Sequence, residues 1–395
     1  MLHYLLILLL GVFLAGLSAV GQFAFGSTDE QYWVSFLTRS MEHVRIYAVA
    51  LFVAHLSILG LAASASKLKL LDIPDNNRKV HDVAKPLVGG LGIIAGVLVA
   101  MLLFFPVVKY MSFMISILLI LGVGVLDDRF DISFKWRFVV QITASIITIY
   151  YFPGMRLNSF GNLVGLGPIE TGLVMFPVTI FCILGVINAI NMIDGLDGLA
   201  GTTSLASFTA FAVLAWLNDM SAFMLLSLAF VGAIAAFLRF NWYPSKLFMG
   251  DAGSMTIGFV LAFFAIELTQ KPGSIVSPVA SLLVLSIPVT DTLAVMVKRM
   301  MRGKSPFEPD KTHFHHILRD MGFGHAGVVI IIMSLSVLFS SLAIIGTIMR
   351  VPDYMLFGIF LCWFIYYFVS SSSRMGLFSV IDSIRKIGYL KRGDA

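Results

Sequence analysis

Roughly twelve apolar runs punctuate the chain, at 4–25, 46–66, 87–107, 111–126, 138–152, 172–190, 201–217, 221–240, 254–269, 276–298, 327–348 and 354–369, most of them long enough to cross a bilayer as a helix. No single soluble core could enclose that much apolar surface. The composition agrees: 58% of the 395 residues are hydrophobic and 12% are charged. The runs are apolar on all faces and rich in Leu, Ile, Phe and Ala, without the period-two alternation of barrel strands, so they read as helices. The expected fold is an all-α, polytopic integral membrane protein with 11–12 transmembrane helices and no soluble domain.

The first run lacks a basic leader and a small-residue cleavage site, and reads as a retained helix rather than a signal peptide. Cys182 and Cys362 both fall inside apolar runs, which argues against a disulfide framework or a thiolate metal site. Lys and Arg are divided unequally between the two sides of the twelve runs: 21 of the 27 fall on one side, which is therefore expected to be cytoplasmic. The net charge of +5 describes a basic face against an anionic leaflet and is no argument for nucleic acid.

The same count places four polar stretches together on the cytoplasmic side: "LDDRFDISFKWR" (126–137), "NAINMIDGLDGLAG" (188–201), "FNWYPSKLFMGDAGS" (240–254) and "SPFEPDKTHFHHILRDMGF" (305–323). One composite site is the economical explanation. Asp127, Asp128 and Asp131 follow directly on an apolar run, at a depth where an ionised carboxylate facing lipid would cost about 2.5 to 3.5 kcal/mol. A cation must therefore be near. Lys135 and Arg137 lie one and a half to three turns further on if the helix continues, and suit ion pairing or phosphate oxygens.

Asn191, Asp194 and Asp197 are three apart and would share one edge if their helix persists, while Gly195, Gly198 and Gly201 let a backbone approach a ligand. Oxygen donors of this kind suit Mg²⁺ or Mn²⁺ rather than zinc, and Mg²⁺ is usually completed by phosphate and water. Asp251 stands between glycines at the start of an apolar run, where helix amides would attract an anion while its own carboxylate takes a cation. Phe248 suits either stacking on a base or anchoring its loop. His313, His315 and His316 suit phosphate or sugar hydroxyls, or a plain interfacial loop, better than zinc.

Taken in this order, "DDRFDIS", "NAINMIDGLDGL", "FMGDAGS" and "SPFEPDKTHFHHILRDMGF" resemble the polyprenyl-phosphate N-acetylhexosamine-1-phosphate transferases, over roughly residues 46 to 371. The likeness is to their WecA type. The MraY branch, which handles phospho-MurNAc-pentapeptide, is the alternative, but carries three consecutive histidines where this chain has Phe314 after His313. The resemblance implies transfer of a sugar phosphate, GlcNAc-1-phosphate by default, from a UDP-N-acetylhexosamine to undecaprenyl phosphate, releasing UMP and initiating an envelope glycan such as O-antigen. It implies Mg²⁺, or Mn²⁺ in its place, held by Asp251 and Asn191, and an acceptor phosphate served by Asp127 and Asp128. Asp194 joins those two as a catalytic group. Asn241, Phe248, Gly195 and Asp197 would surround the uridine, Lys135 and Arg137 the phosphates, and His313, His315 and His316 the diphosphate or sugar.

The implied setting is the bacterial inner membrane, multi-pass, with cytoplasmic active-site loops, and a homodimer is compatible with it. The segment "IPDNNRKVHDVAKPLVGG" (73–90) would line the nucleotide cleft. Residues 1–45 add a helix and an external loop to the transferase core of 46–371, and 372–395 read as a cytoplasmic amphipathic tail. A secondary transporter would instead place its carboxylates near the midplane, on broken helices in two repeated halves, and no repeat is visible here.

Overall fold

The structure, a computed structural model, describes residues 30–73, 84–303, 305 and 312–373, without the side chains of 30–40 and 372–373. The expected helix at 4–25, residues 74–83 of the first polar loop and the tail from 374 onward lie outside the described residues. The other eleven runs are all helical. In chain order they are α1 (Glu30–Leu68), α2 (Gly89–Phe104), α3 (Val107–Phe130), α4 (Phe134–Tyr151), α5 (Met175–Ile193), α6 (Leu199–Leu217), α7 (Ser221–Asn241), α8 (Gly250–Gln270), the pair α9 (Pro278–Val284) and α10 (Ser286–Met301), then, after the short α11 (Phe314–Asp320), α12 (His325–Ile348) and α13 (Asp353–Ser373).

Among the described residues, eight helices are long and apolar enough to span a bilayer alone. The rest depart for identifiable reasons. The 16-residue α2 is short, α4 is diluted by Lys135, Arg137 and Gln141, and the run expected as one helix at 276–298 is bent by 83° between α9 and α10. Helix α1 begins at Glu30, so the external loop expected to reach residue 45 is helical from residue 30 onward.

Helices α7 and α8 are almost wholly enclosed, whereas α1, α5 and α13 present most of their surface outward. In lipid, apolar side chains gain little from leaving their solvent, so close packing must hold such a bundle. Phe113 stacks on Phe263 with centroids 4.1 Å apart, and Phe208 on Phe230 at 4.5 Å. Backbone contact does the rest. A Cβ on Gly124 of α3 would run into the backbone of Ala252 in α8, so glycine there lets the two helices touch one turn from Asp127 and Asp251.

A two-residue ladder, β1 (Leu71–Asp72) against β2 (Lys85–Pro86), is the only sheet among the described residues. It anchors the loop before α8. The Phe248 amide donates to Pro86 O at 2.9 Å, while Gly89 and Gly90 amides donate to Phe248 and Met249 carbonyls at 3.0 and 2.8 Å.

Candidate active site

Asp251 is the hub. It lies in the first turn of α8, where helix amides have no partner within the helix. The amides of Asp251 and Ala252 donate instead to the two oxygens of Asp128, at 2.8 and 3.1 Å. An anion does sit at this helix N-terminus, and it is Asp128, the neighbour of Asp127 in the last turn of α3. That arrangement locks α3 to α8. Asp127 Oδ2 accepts from Arg137 Nη1 at 2.6 Å, and the same nitrogen reaches Asp251 Oδ2 at 3.4 Å. Asp127 Oδ1 is buried with no hydrogen-bond partner among the described residues.

The helix does not continue from Asp127 to Arg137. It ends at Phe130, Asp131 takes the left-handed conformation with φ of 49°, and α4 restarts at Phe134. This turn sends Arg137 back over the carboxylates. Lys135 on the same helix points elsewhere: it is exposed and makes no hydrogen bond or ion pair with a described residue.

A second break governs the 188–201 stretch. Helix α5 stops at Ile193, so Asn191, Asp194 and Asp197 do not form one helical edge. Asn191 stays helical and its Nδ2 donates to Asp251 Oδ1 at 2.7 Å and Ser254 Oγ at 2.9 Å. Asp194, just past the helix end, has no side-chain hydrogen bond or ion pair among the described residues. Burial, then the charges of Asp251 and Asp197, push its carboxyl up to about 7.

Asp197 turns to a different neighbourhood. Its Oδ2 accepts the Ser245 amide at 2.9 Å and lies 3.8 Å from Lys85 Nζ, which also donates to Ser245 Oγ at 2.9 Å and sits 4.8 Å above the Phe248 ring. Lys85 thus belongs to the site. Sequence reasoning placed its loop at the cleft without singling it out, and one lysine among the five basic residues Lys67, Lys69, Arg78, Lys79 and Lys85 carries no distinguishing signal. Asn241 is buried and engaged at both ends, accepting the Gly198 amide at 2.8 Å and donating to Leu247 O at 2.9 Å. It clamps two polar loops together rather than presenting an amide to a ligand.

The histidine turn reaches the same place. A Cβ on Gly195 would lie 2.5 Å from His315 Nε2, so the missing side chain is what lets His315 seat against Gly195, next in sequence to Asp194. His315 is buried, its Nδ1 has no hydrogen-bond partner among the described residues, and burial followed by the nearby imidazole of His316 lowers its pKa to about 3. It stays neutral at physiological pH. His313 and His315 lie parallel at 6.0 Å, and His315 and His316 are 4.2 Å apart. Behind them stands a residue the sequence did not mark, Asp291 of α10, whose Oδ2 meets His313 Nδ1 at 2.9 Å. A lone acid inside an apolar run was the available signal.

The assembled site holds four mutually repelling carboxylates, since the charge of Asp251 acts on Asp127, Asp128 and Asp194 alike, against one guanidinium. Among the described residues no three His, Cys, Asp or Glu converge as a ready-made metal cage. The donor set still fits Mg²⁺: Asp251 and Asn191 are in contact, Asp194 is unengaged beside them, and this ion commonly takes one or two protein oxygens and completes its shell from phosphates and water. Zinc is a poor match for the same donors.

Comparison with known proteins places the chain in one family. The family model "Glycosyl transferase family 4" matches residues 110–269, which contain Asp127, Asp128, Asn191, Asp194, Asp197, Asn241 and Asp251. The chain is 34% identical over 343 residues to the undecaprenyl-phosphate alpha-N-acetylglucosaminyl 1-phosphate transferase of Yersinia pestis, covering 85% of this chain and 92% of that protein. It is 33% identical over 313 residues to the Escherichia coli (strain K12) protein of the same name, covering 77% and 84%. A probable undecaprenyl-phosphate N-acetylglucosaminyl 1-phosphate transferase of Bacillus subtilis (strain 168) is 31% identical over 283 residues, 71% of this chain and 78% of that protein.

Proposed function

This chain belongs to glycosyl transferase family 4, and on that premise we propose that it transfers GlcNAc-1-phosphate from UDP-GlcNAc to undecaprenyl phosphate. An oxygen of the lipid phosphate attacks the sugar-linked phosphorus; a new P–O–P bond forms, the bond to the bridging oxygen breaks, and UMP leaves. The observation that carries this reading is the convergence on Asp251 of Asn191, Arg137 and the carboxylates of Asp127, Asp128 and Asp194. Phosphoryl transfer asks a protein mainly for positioning and charge neutralisation, and such a cluster is suited to both. The names of the relatives favour GlcNAc transfer over the MraY alternative.

Asp251 and Asn191 would hold Mg²⁺, with Asp194 beside them. When bound, the ion would neutralise the donor diphosphate and keep it in line for attack. Asp127, fixed by Arg137 and with Oδ1 unpartnered, is assigned to the acceptor phosphate, and Arg137 to its oxygens. Asp128 is reassigned from the acceptor to positioning, because both its oxygens already receive α8 amides. Phe248, Lys85 and Asp197 form the nucleotide end, Asn241 holds their loops, and His313, His315 and His316 close the other side. The basic excess supports a cytoplasmic site in a bacterial inner membrane.

Purified protein incubated with UDP-GlcNAc and undecaprenyl phosphate is expected to release UMP only when Mg²⁺ or Mn²⁺ is present. Release with excess chelator, or no release with any UDP-N-acetylhexosamine, would contradict the proposal.

A further inference from the structure

Asp291 is 2% exposed, lies on the second limb of the bent α9–α10 pair, and is surrounded by donors rather than by other acids. His313 Nδ1 meets its Oδ2 at 2.9 Å, while Oδ1 accepts the Phe314 amide at 2.9 Å and the Tyr367 hydroxyl at 2.5 Å. Tyr367 is itself 1% exposed and comes from α13, the last described helix. A carboxylate in low dielectric must be fully hydrogen-bonded to persist, and here three donors from two helices and the histidine turn do that. Because an ionised carboxylate can only accept, the His313 nitrogen facing it carries hydrogen, which leaves Nε2 as the other functional atom of the ring. The effect extends along the turn: His313 lies parallel to His315, and His315 abuts Gly195, one residue from Asp194.

We propose that Asp291 and Tyr367 are positioning residues that fix the tautomer of His313 and seat the 313–316 histidine turn against Gly195. This rests on the transferase reading above. The carboxylate does not touch substrate. It acts through His313, holding one imidazole nitrogen so that the other meets the diphosphate or sugar in one orientation, as carboxylates behind functional histidines generally do.

The test is a double-mutant cycle in full-length protein in detergent, combining Asp291→Asn with His313→Ala and measuring kcat and KM for UDP-GlcNAc. Asparagine presents an N–H to His313 Nδ1 and inverts the tautomer. Asp291→Asn is expected to lower kcat about 100-fold with KM changed by less than about threefold. In the His313→Ala background the same change should cost nothing further. A merely structural Asp291 would instead give equal losses in both backgrounds, and that additivity overturns the proposal. If Asp291→Asn does not fold, Tyr367→Phe decides through the same cycle, with an expected kcat loss of about threefold that vanishes without His313. Nitrogen NMR of histidine-labelled protein reads the tautomer without turnover. Nδ1-protonated His313 in wild type, altered in Asp291→Asn, sustains the positioning role even where no UMP is released; an Nε2-protonated wild type defeats it whatever the activity.

Discussion

The two ends of the bundle use polar side chains in opposite ways. At the end where Lys109, Arg156 and Lys271 lie, several polar side chains close loops on nearby backbone. Asn218 donates to Leu268 O and Ser274 Oγ and accepts the Ile275 amide, all between 3.0 and 3.1 Å. Gln270 accepts the Asn158 and Ser159 amides at 3.0 and 3.1 Å and donates back to Ser159 O, and Asp353 accepts the Asn162 amide at 2.9 Å. These are loop closures. At the other end Asp127, Asp194 and Asp251 crowd one another around a single Arg137, with an unpartnered oxygen on Asp127 and no side-chain partner at Asp194. Buried polar groups, and even an unpartnered oxygen such as Glu267 Oε2, are thus common to both ends, and the convergence of several carboxylates on one point is what distinguishes a site.

The contrast is sharpest at Asp251. Asp251→Asn should remove a charged donor from the hub and cut UMP release by about three orders of magnitude or more while the protein remains folded in detergent. Asp127→Asn comes next. It should lower turnover by about a hundredfold and leave UDP-GlcNAc affinity nearly unchanged, because its free oxygen is assigned to the acceptor. Collapse of donor binding together with turnover would move Asp127 to the donor side.

A smaller effect follows from Asp194. Its carboxyl is raised from the ordinary value to about 7, so between those values the folded protein holds a proton that the unfolded chain has lost. Its contribution to stability is therefore present at low pH and is lost as pH rises towards about 7. Without divalent cation, Asp194→Asn should lose less melting temperature than wild type between about pH 5 and about pH 8. Identical slopes would mean that Asp194 is not crowded by its neighbours.

The smallest effect on chemistry belongs to the opposite end. Asn218→Ala strips two donors and an acceptor from a loop closure and should cost about 1 to 3 kcal/mol of stability, with kcat/KM of the folded fraction within about twofold of wild type. A large loss of turnover there would erase the distinction between the two ends.

Much of this was legible from residue order. The apolar runs in the described part are helices, and the motifs expected on one face do meet, because bilayer thickness fixes helix length and so fixes which loops share a side. What was not legible is where helices stop. Whether a helix continues from Asp127 to Arg137 was left open by the sequence, and it is the left-handed Asp131 whose turn brings Arg137 onto Asp127. The common edge of Asn191, Asp194 and Asp197 dissolved for the same reason, since α5 ends at Ile193 and sends Asp194 to the hub and Asp197 to Ser245. Asn241, read as a uridine contact, proved to have its amide engaged by Gly198 and Leu247. Asp291 escaped notice because its meaning lies in Tyr367, a partner 76 positions away.

Asp251 is proposed as the centre of one cation-binding site, and direct Mn²⁺ titration of the purified protein in the presence of UDP-GlcNAc, followed by the ion's paramagnetic signal, tests this without reference to turnover. Wild type and Asn218→Ala should bind Mn²⁺ alike, Asn191→Ala should bind it more weakly, and Asp251→Asn should lose the site. Equal Mn²⁺ binding by wild type and Asp251→Asn would contradict the account.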